Sequence, residues 1–148
     1  MAKSIPFFRI EELVDPETFN QYGQRCWWFL SEKALASLVA LREQFGLLTV
    51  NDWVFGGGYK YSGFRHPDCP IGAKLSQHKF GRAFDVKSKN YSAVEMQEYI
   101  LMHPHQFPHI TTMENAEQTL GWLHFDTRPV TTEGNQDGQR EITIFNLK

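Results

Sequence analysis

The chain has 148 residues, a formal net charge of −2 and 14% aromatic residues. That length suits one domain with a real core, and the near-neutral charge leaves no electrostatic footprint for nucleic acid or an anionic membrane surface. No apolar run approaches the roughly 20 residues that span a bilayer. The first ten residues carry Lys3 and Arg9 around an apolar stretch too short and broken for a signal peptide, so synthesis in a cytoplasm is expected, with any export by another route. Cys26 and Cys69 are far apart and form no Cys-x-x-Cys pattern, which predicts two buried or half-buried thiols, with one disulfide as the less favoured alternative, and no metal ligands. With no repeat, low-complexity tract or linker, residues 1–148 read as a single domain and a monomer.

Residues 1–30 read as short helical or turn pieces, with Phe7, Phe8, Ile10, Leu13 and Val14 covering one edge of a core. Ser31 is the N-cap of a predicted helix that runs to Phe45 and stops at Gly46, with Leu35, Leu38, Val39 and Phe45 as its apolar stripe. Leu47–Phe55 reads as a strand broken by Gly56-Gly57-Gly58, and Tyr59–Leu75 as a loop holding Ser62-Gly63-Phe64-Arg65. A strand is predicted over Arg82–Lys87. Ser92 and Glu95 form the capping box of a helix ending near Met102. Ile110–Met113, Trp122–Arg128 and Glu141–Phe145 read as further strands, the last preceded by a turn at Asn135–Gly138. The sum is an α+β chain with a mostly antiparallel sheet flanked by helices.

Two islands carry chemistry. The first is Ser76-Gln77-His78-Lys79-Phe80-Gly81-Arg82-Ala83-Phe84-Asp85, and the second is Trp122-Leu123-His124-Phe125-Asp126-Thr127-Arg128. Side chains alternate along a strand, so Ala83 and Asp85 share one face of the first predicted strand. Trp122, His124, Asp126 and Arg128 share a face of the second. If those strands are neighbours, Asp85 and His124 point at one spot, and His78 reaches it from the turn before. Two His and one carboxylate hold a zinc ion with an open fourth position, the ligand set of a catalytic rather than a closed structural site.

The joint pattern, Ser-x-His-x-x-Gly-x-Ala-x-Asp followed by Trp-x-His, resembles the D-alanyl-D-alanine carboxypeptidase family of zinc peptidases. Relatives of that family include phage endolysins and the hedgehog signalling domain. Ser62-Gly63-Phe64-Arg65 looks like the family's Ser-Gly-Tyr-Arg segment, and the resemblance covers roughly residues 50–130. It implies a hedgehog/DD-peptidase-like fold and zinc bound by His78, Asp85 and His124. Arg65 matches an arginine that binds a carboxylate or carbonyl of the peptide substrate; a loop salt bridge is the other reading of this residue.

The pattern departs at one place. Many members carry Glu or Asp three residues before the last zinc His, as general base, and here that position is Gly121. Glu114 is the expected substitute, because a hairpin joining Ile110–Glu114 to Trp122–Arg128 would bring it near Gly121; Glu117 is the runner-up. Asp126 is expected to orient a zinc ligand or Arg128 from behind. His66, His103, His105 and His109 receive no role. The resemblance implies a peptidase acting on peptidoglycan stem or cross-bridge peptides, as carboxypeptidase or endopeptidase. A phage enzyme that reaches the wall after lysis release, or as part of the particle, fits the missing signal peptide. The rival expectations are a wall-binding or virion module that keeps zinc without catalysis, and a metal-dependent interaction domain.

Overall fold

A computed structural model describes residues 4–130 and 141–147; the predicted turn at 135–138 lies outside them. The first thirty residues form short pieces: a 3-10 turn over Ile10–Glu12, helix α1 over Pro16–Tyr22, and a 3-10 segment over Gly23–Phe29. Asp15 caps α1, its carboxylate accepting from the Thr18 amide and hydroxyl.

Helix α2 spans Glu32–Phe45, with the Ser31 hydroxyl accepting from the Ala34 amide and Gly46 ending it at φ 79°. Its buried stripe is Ala34, Leu35, Leu38, Leu41 and Phe45; Val39 is only half-buried, and Leu41 takes the place expected for it. Helix α3 spans Ala93–Met102 and opens on the reciprocal Ser92–Glu95 capping box.

The predicted strand over residues 47–55 does not form. Thr49 makes an isolated antiparallel bridge with Lys87, and Trp53–Phe55 winds into a 3-10 turn. The cause is local side-chain competition for the backbone. Asn51 donates to Val14 O and accepts from the Ser62 amide, while the Asp52 carboxylate accepts from the Tyr59 amide.

Four short strands make one sheet: β1 Ala83–Val86, β2 Thr112–Glu114, β3 Leu123–Asp126 and β4 Thr143–Phe145, in spatial order β1-β3-β2-β4. β3 pairs antiparallel with both β1 and β2, but β4 pairs parallel to β2. The sheet is therefore mixed, and the expectation of a mostly antiparallel one is corrected. The reason is topological. β3 ends at Asp126 beside Thr112, where β2 begins, so a last strand entering at that end on the free edge of β2 runs in the direction of β2. Thr143 enters there, its amide bonding to Thr111 O. The α+β mixture stands.

One face of the sheet carries Phe84, Val86, Met113, Leu123 and Phe125, all fully buried in a single apolar cluster with α2 and α3. This burial, not hydrogen bonding, supplies most of the driving force that holds the other face in place. Cys26 and Cys69 are free and buried, as expected from their spacing. Among the described residues no helix is long and apolar enough to cross a membrane.

Candidate metal centre

The site follows from strand register. Asp85 on β1 sits opposite His124 on β3, and Thr112 on β2 sits opposite Asp126. Continuing that register sets Glu114 opposite His124, and Glu114 in turn pairs with Phe145 on β4. Residues opposite one another share a face. The row Asp85, His124, Glu114, Phe145 therefore crosses all four strands on the face turned away from the core. Asp126 and Ala83 lie in the next row.

His78 joins the row from outside the sheet. It sits in the 3-10 turn Gln77–Phe80, whose N-cap Ser76 accepts from the His78 amide. Gly81 ends the turn at φ 70°, and a Cβ there would run into the carbonyl oxygen of Phe29. Glycine is required on both counts. The chain then enters β1, which brings His78 and Asp85 together seven residues apart.

The three predicted ligands converge. His78 Nε2 lies 3.3 Å and His124 Nδ1 2.9 Å from Asp85 Oδ1, and the ligand atoms of all three residues fall within 4.8 Å of one another. The outer nitrogens of both rings are already committed. His78 Nδ1 lies 2.9 Å from Gly63 O, which can only accept, so that nitrogen carries the proton. His124 Nε2 lies 2.9 Å from Asp126 Oδ2 and donates to it. Asp126 is fully buried and is itself gripped by the Arg128 guanidinium, Nε to Oδ1 at 2.8 Å and Nη2 to Oδ2 at 2.5 Å. Asp126, expected to orient a zinc ligand or Arg128, contacts both His124 and Arg128.

These commitments leave a lone pair on His78 Nε2 facing a carboxylate oxygen, two acceptors against one another. Only a proton or a metal ion between them makes that arrangement favourable. Burial lowers the proton affinity of His78, against the pull of Asp85. His124 also loses by burial, but hydrogen bonds to Asp126 and Asp85 outweigh it and raise its pKa to about 9. Burial would raise the Asp85 carboxyl; the two histidines hold it well below the usual carboxylate range. The donor set, two imidazoles and one carboxylate with hydrogen-bonded outer atoms, fits zinc.

The centre opens into a cleft of about 370 Å³ that Glu114, Arg65, Arg128 and Trp122 also line. Glu114 is half-buried, and burial raises its carboxyl above the ordinary value while His124 opposes the shift. Gly121 is exposed and does not line the cleft, and Glu117 is exposed in the connecting turns.

Arg65 is more deeply embedded than a loop residue serving substrate alone. Its guanidinium donates to Tyr61 O at 2.6 Å and Ile71 O at 3.4 Å and lies 3.6 Å from Asp85 Oδ2. It thus ties the loop together and ion-pairs with Asp85 while lining the cleft.

A second group, Asp15, Glu17 and His66, also brings three ligand atoms within 4.8 Å. Asp15 there serves as the cap of α1, and the positive end of a helix disfavours a cation. His103 stacks on Tyr99 at 4.1 Å and contacts its carbonyl oxygen. Sequence reasoning missed the β4 contribution: Phe145 packs edge-on against His124, with the Arg128 guanidinium over its ring.

No family model, curated protein or solved structure gives a significant match to the chain. The site is therefore read on its own geometry.

Proposed function

We propose that this chain is a zinc-dependent peptidase of the hedgehog/DD-peptidase type that hydrolyses peptidoglycan stem or cross-bridge peptides. The observation that carries the proposal is the convergence of His78 Nε2, Asp85 Oδ1 and His124 Nδ1, with both outer ring nitrogens already donating, at the floor of an open cleft. The peptidoglycan specificity rests on the motif resemblance alone.

His78, Asp85 and His124 would hold the ion. Bound there, zinc would supply Lewis-acid polarisation of the scissile carbonyl and lower the pKa of a water toward about 7. Glu114 stands across the row from Asp85 with its carboxyl raised by burial, which suits a group that takes a proton and passes it to the leaving amine. Arg65 and Arg128 present guanidinium groups to the cleft and orient the peptide through its carbonyl or carboxylate oxygens. Buried Asp126 holds His124 in the tautomer that frees Nδ1.

The test is incubation of the purified, zinc-supplemented protein with purified cell walls, followed by turbidity and by mass analysis of released peptides. Loss of turbidity with new peptide termini, abolished in Glu114→Gln, supports the proposal. Full zinc occupancy with no cleavage at any pH would favour the non-catalytic wall-binding or virion module.

A further inference from the structure

The cleft continues beyond the metal centre. A second hollow of about 280 Å³ adjoins it, and the two share Arg65, Ile71, Asp85 and Trp122 as lining. The hollow adds Tyr59, Lys60, Tyr61 and Lys87, none of which line the metal cleft itself.

Lys87 follows Asp85 by two residues at the end of β1, and its ammonium is turned inward. Nζ donates to Val50 O at 2.5 Å and to Ser62 Oγ at 2.7 Å, and lies 4.0 Å from the centre of the Tyr59 ring. All three partners are neutral. An ammonium has three donors, and two are used. Among the described residues no carboxylate lies within ion-pair distance of Lys87 or of the exposed Lys60.

The other cations of the cleft differ in kind. Arg65 has Asp85 and Arg128 has Asp126. A half-buried cation whose direct partners are all neutral, with Asp85 and Asp52 acting on it only from beyond ion-pair distance, has its charge incompletely compensated, an arrangement that costs free energy until an anion arrives. A divalent ion with Asp85 as its one carboxylate ligand would add to the positive field on the shared wall. The aromatic sides, Tyr59, Tyr61 and Trp122, suit the apolar body of an amino-acid residue rather than a bare inorganic anion.

We infer that this hollow is an anion subsite in which Lys87 and Lys60 hold a carboxylate of the bound peptide, either its C-terminus or an acidic side chain. The inference rests on the peptidase reading for the ligand's class. It makes the preferred substrate an acidic peptide with its carboxylate on the Asp85 side of the metal.

The test measures binding by titration calorimetry on the zinc-supplemented full chain. Three probes are used: N-acetyl-D-alanyl-D-alanine, its C-terminal amide, and the amide in which D-glutamate replaces the last residue. At least one charged probe should bind about tenfold more tightly than the neutral amide. The charged probe that shows the preference identifies which carboxylate the subsite takes. The preference should vanish in Lys87→Met and shrink in Lys60→Ala. Lys60 is exposed, so its variant reports even if Lys87→Met folds poorly. Equal affinity of all three probes for the wild type, or an unchanged preference in both variants, overturns the subsite. Preferential binding of a charged probe by a protein that releases no peptide from purified cell walls contradicts the peptidase reading and leaves the subsite standing; wall cleavage without charge preference in the probes does the reverse.

Discussion

Asp126→Asn isolates the part of the account that depends on one proton. In the wild type, Asp126 Oδ2 accepts from His124 Nε2 at 2.9 Å while both carboxylate oxygens accept from Arg128. An asparagine has one acceptor oxygen and one donor nitrogen. Arg128 only donates, so it claims the oxygen, and the amide NH2 then faces His124 Nε2. That turns Nε2 into an acceptor and moves the ring proton to Nδ1, the atom that must face the metal. Loss of such a supporting partner typically costs about 10–100-fold in metal affinity, about 1.4–2.7 kcal/mol. The upper end is expected here, because Asp126 is fully buried and no water can take its place. The assay is zinc competition against a chelating dye near pH 7, with circular dichroism to verify the fold. A folded Asp126→Asn variant that binds zinc as tightly as the wild type would refute the tautomer argument.

Other outcomes follow from the same geometry. Glu114→Gln should retain zinc and lower turnover by roughly two to four orders of magnitude in a peptide-release assay; full activity there, with loss in Glu117→Gln, would move the base to Glu117. Arg65→Ala should destabilise the fold by about 1–3 kcal/mol, read in a thermal melt, because two loop carbonyls lose their donor. Zinc affinity should rise with pH toward about 9, since the ion must displace the proton that the carboxylates hold on His124. The metal-free chain should behave in the opposite way. His124 is raised from 6.5 to about 9 on folding, so its contribution is whole below pH 6.5 and is lost as pH rises. The melting temperature of metal-free protein should therefore fall between pH 6.5 and 8, before the depressed Lys87, near 8, begins to act in the other direction.

Much of this was legible in the sequence because it is local. Ser31, Gly46 and the Ser92–Glu95 pair mark helix ends through side-chain hydrogen bonds that span three or four residues. Alternation in 82–87 and 122–128 gave the faces of β1 and β3, and hence the meeting of Asp85 and His124. What stayed hidden depends on distant partners. Residues 47–55 carry strand-forming side chains, yet Asn51 and Asp52 bond to Val14, Ser62 and Tyr59, all of which lie outside the segment itself. The direction of β4 depends on which end of β2 it enters. The burial of Arg65 depends on irregular loop backbone, which turns the carbonyls of Tyr61 before it and Ile71 after it onto one guanidinium and leaves no periodic pattern to read. Lys87 gave no signal, because a lysine at a strand end is ordinarily solvated.

The central claim is the metal centre, and elemental analysis tests it most directly. The purified protein, loaded with zinc and dialysed, should hold one zinc ion per chain, and His78→Ala and His124→Ala should each lose it while remaining folded. A zinc-free wild type, or full occupancy in both variants, would contradict the account.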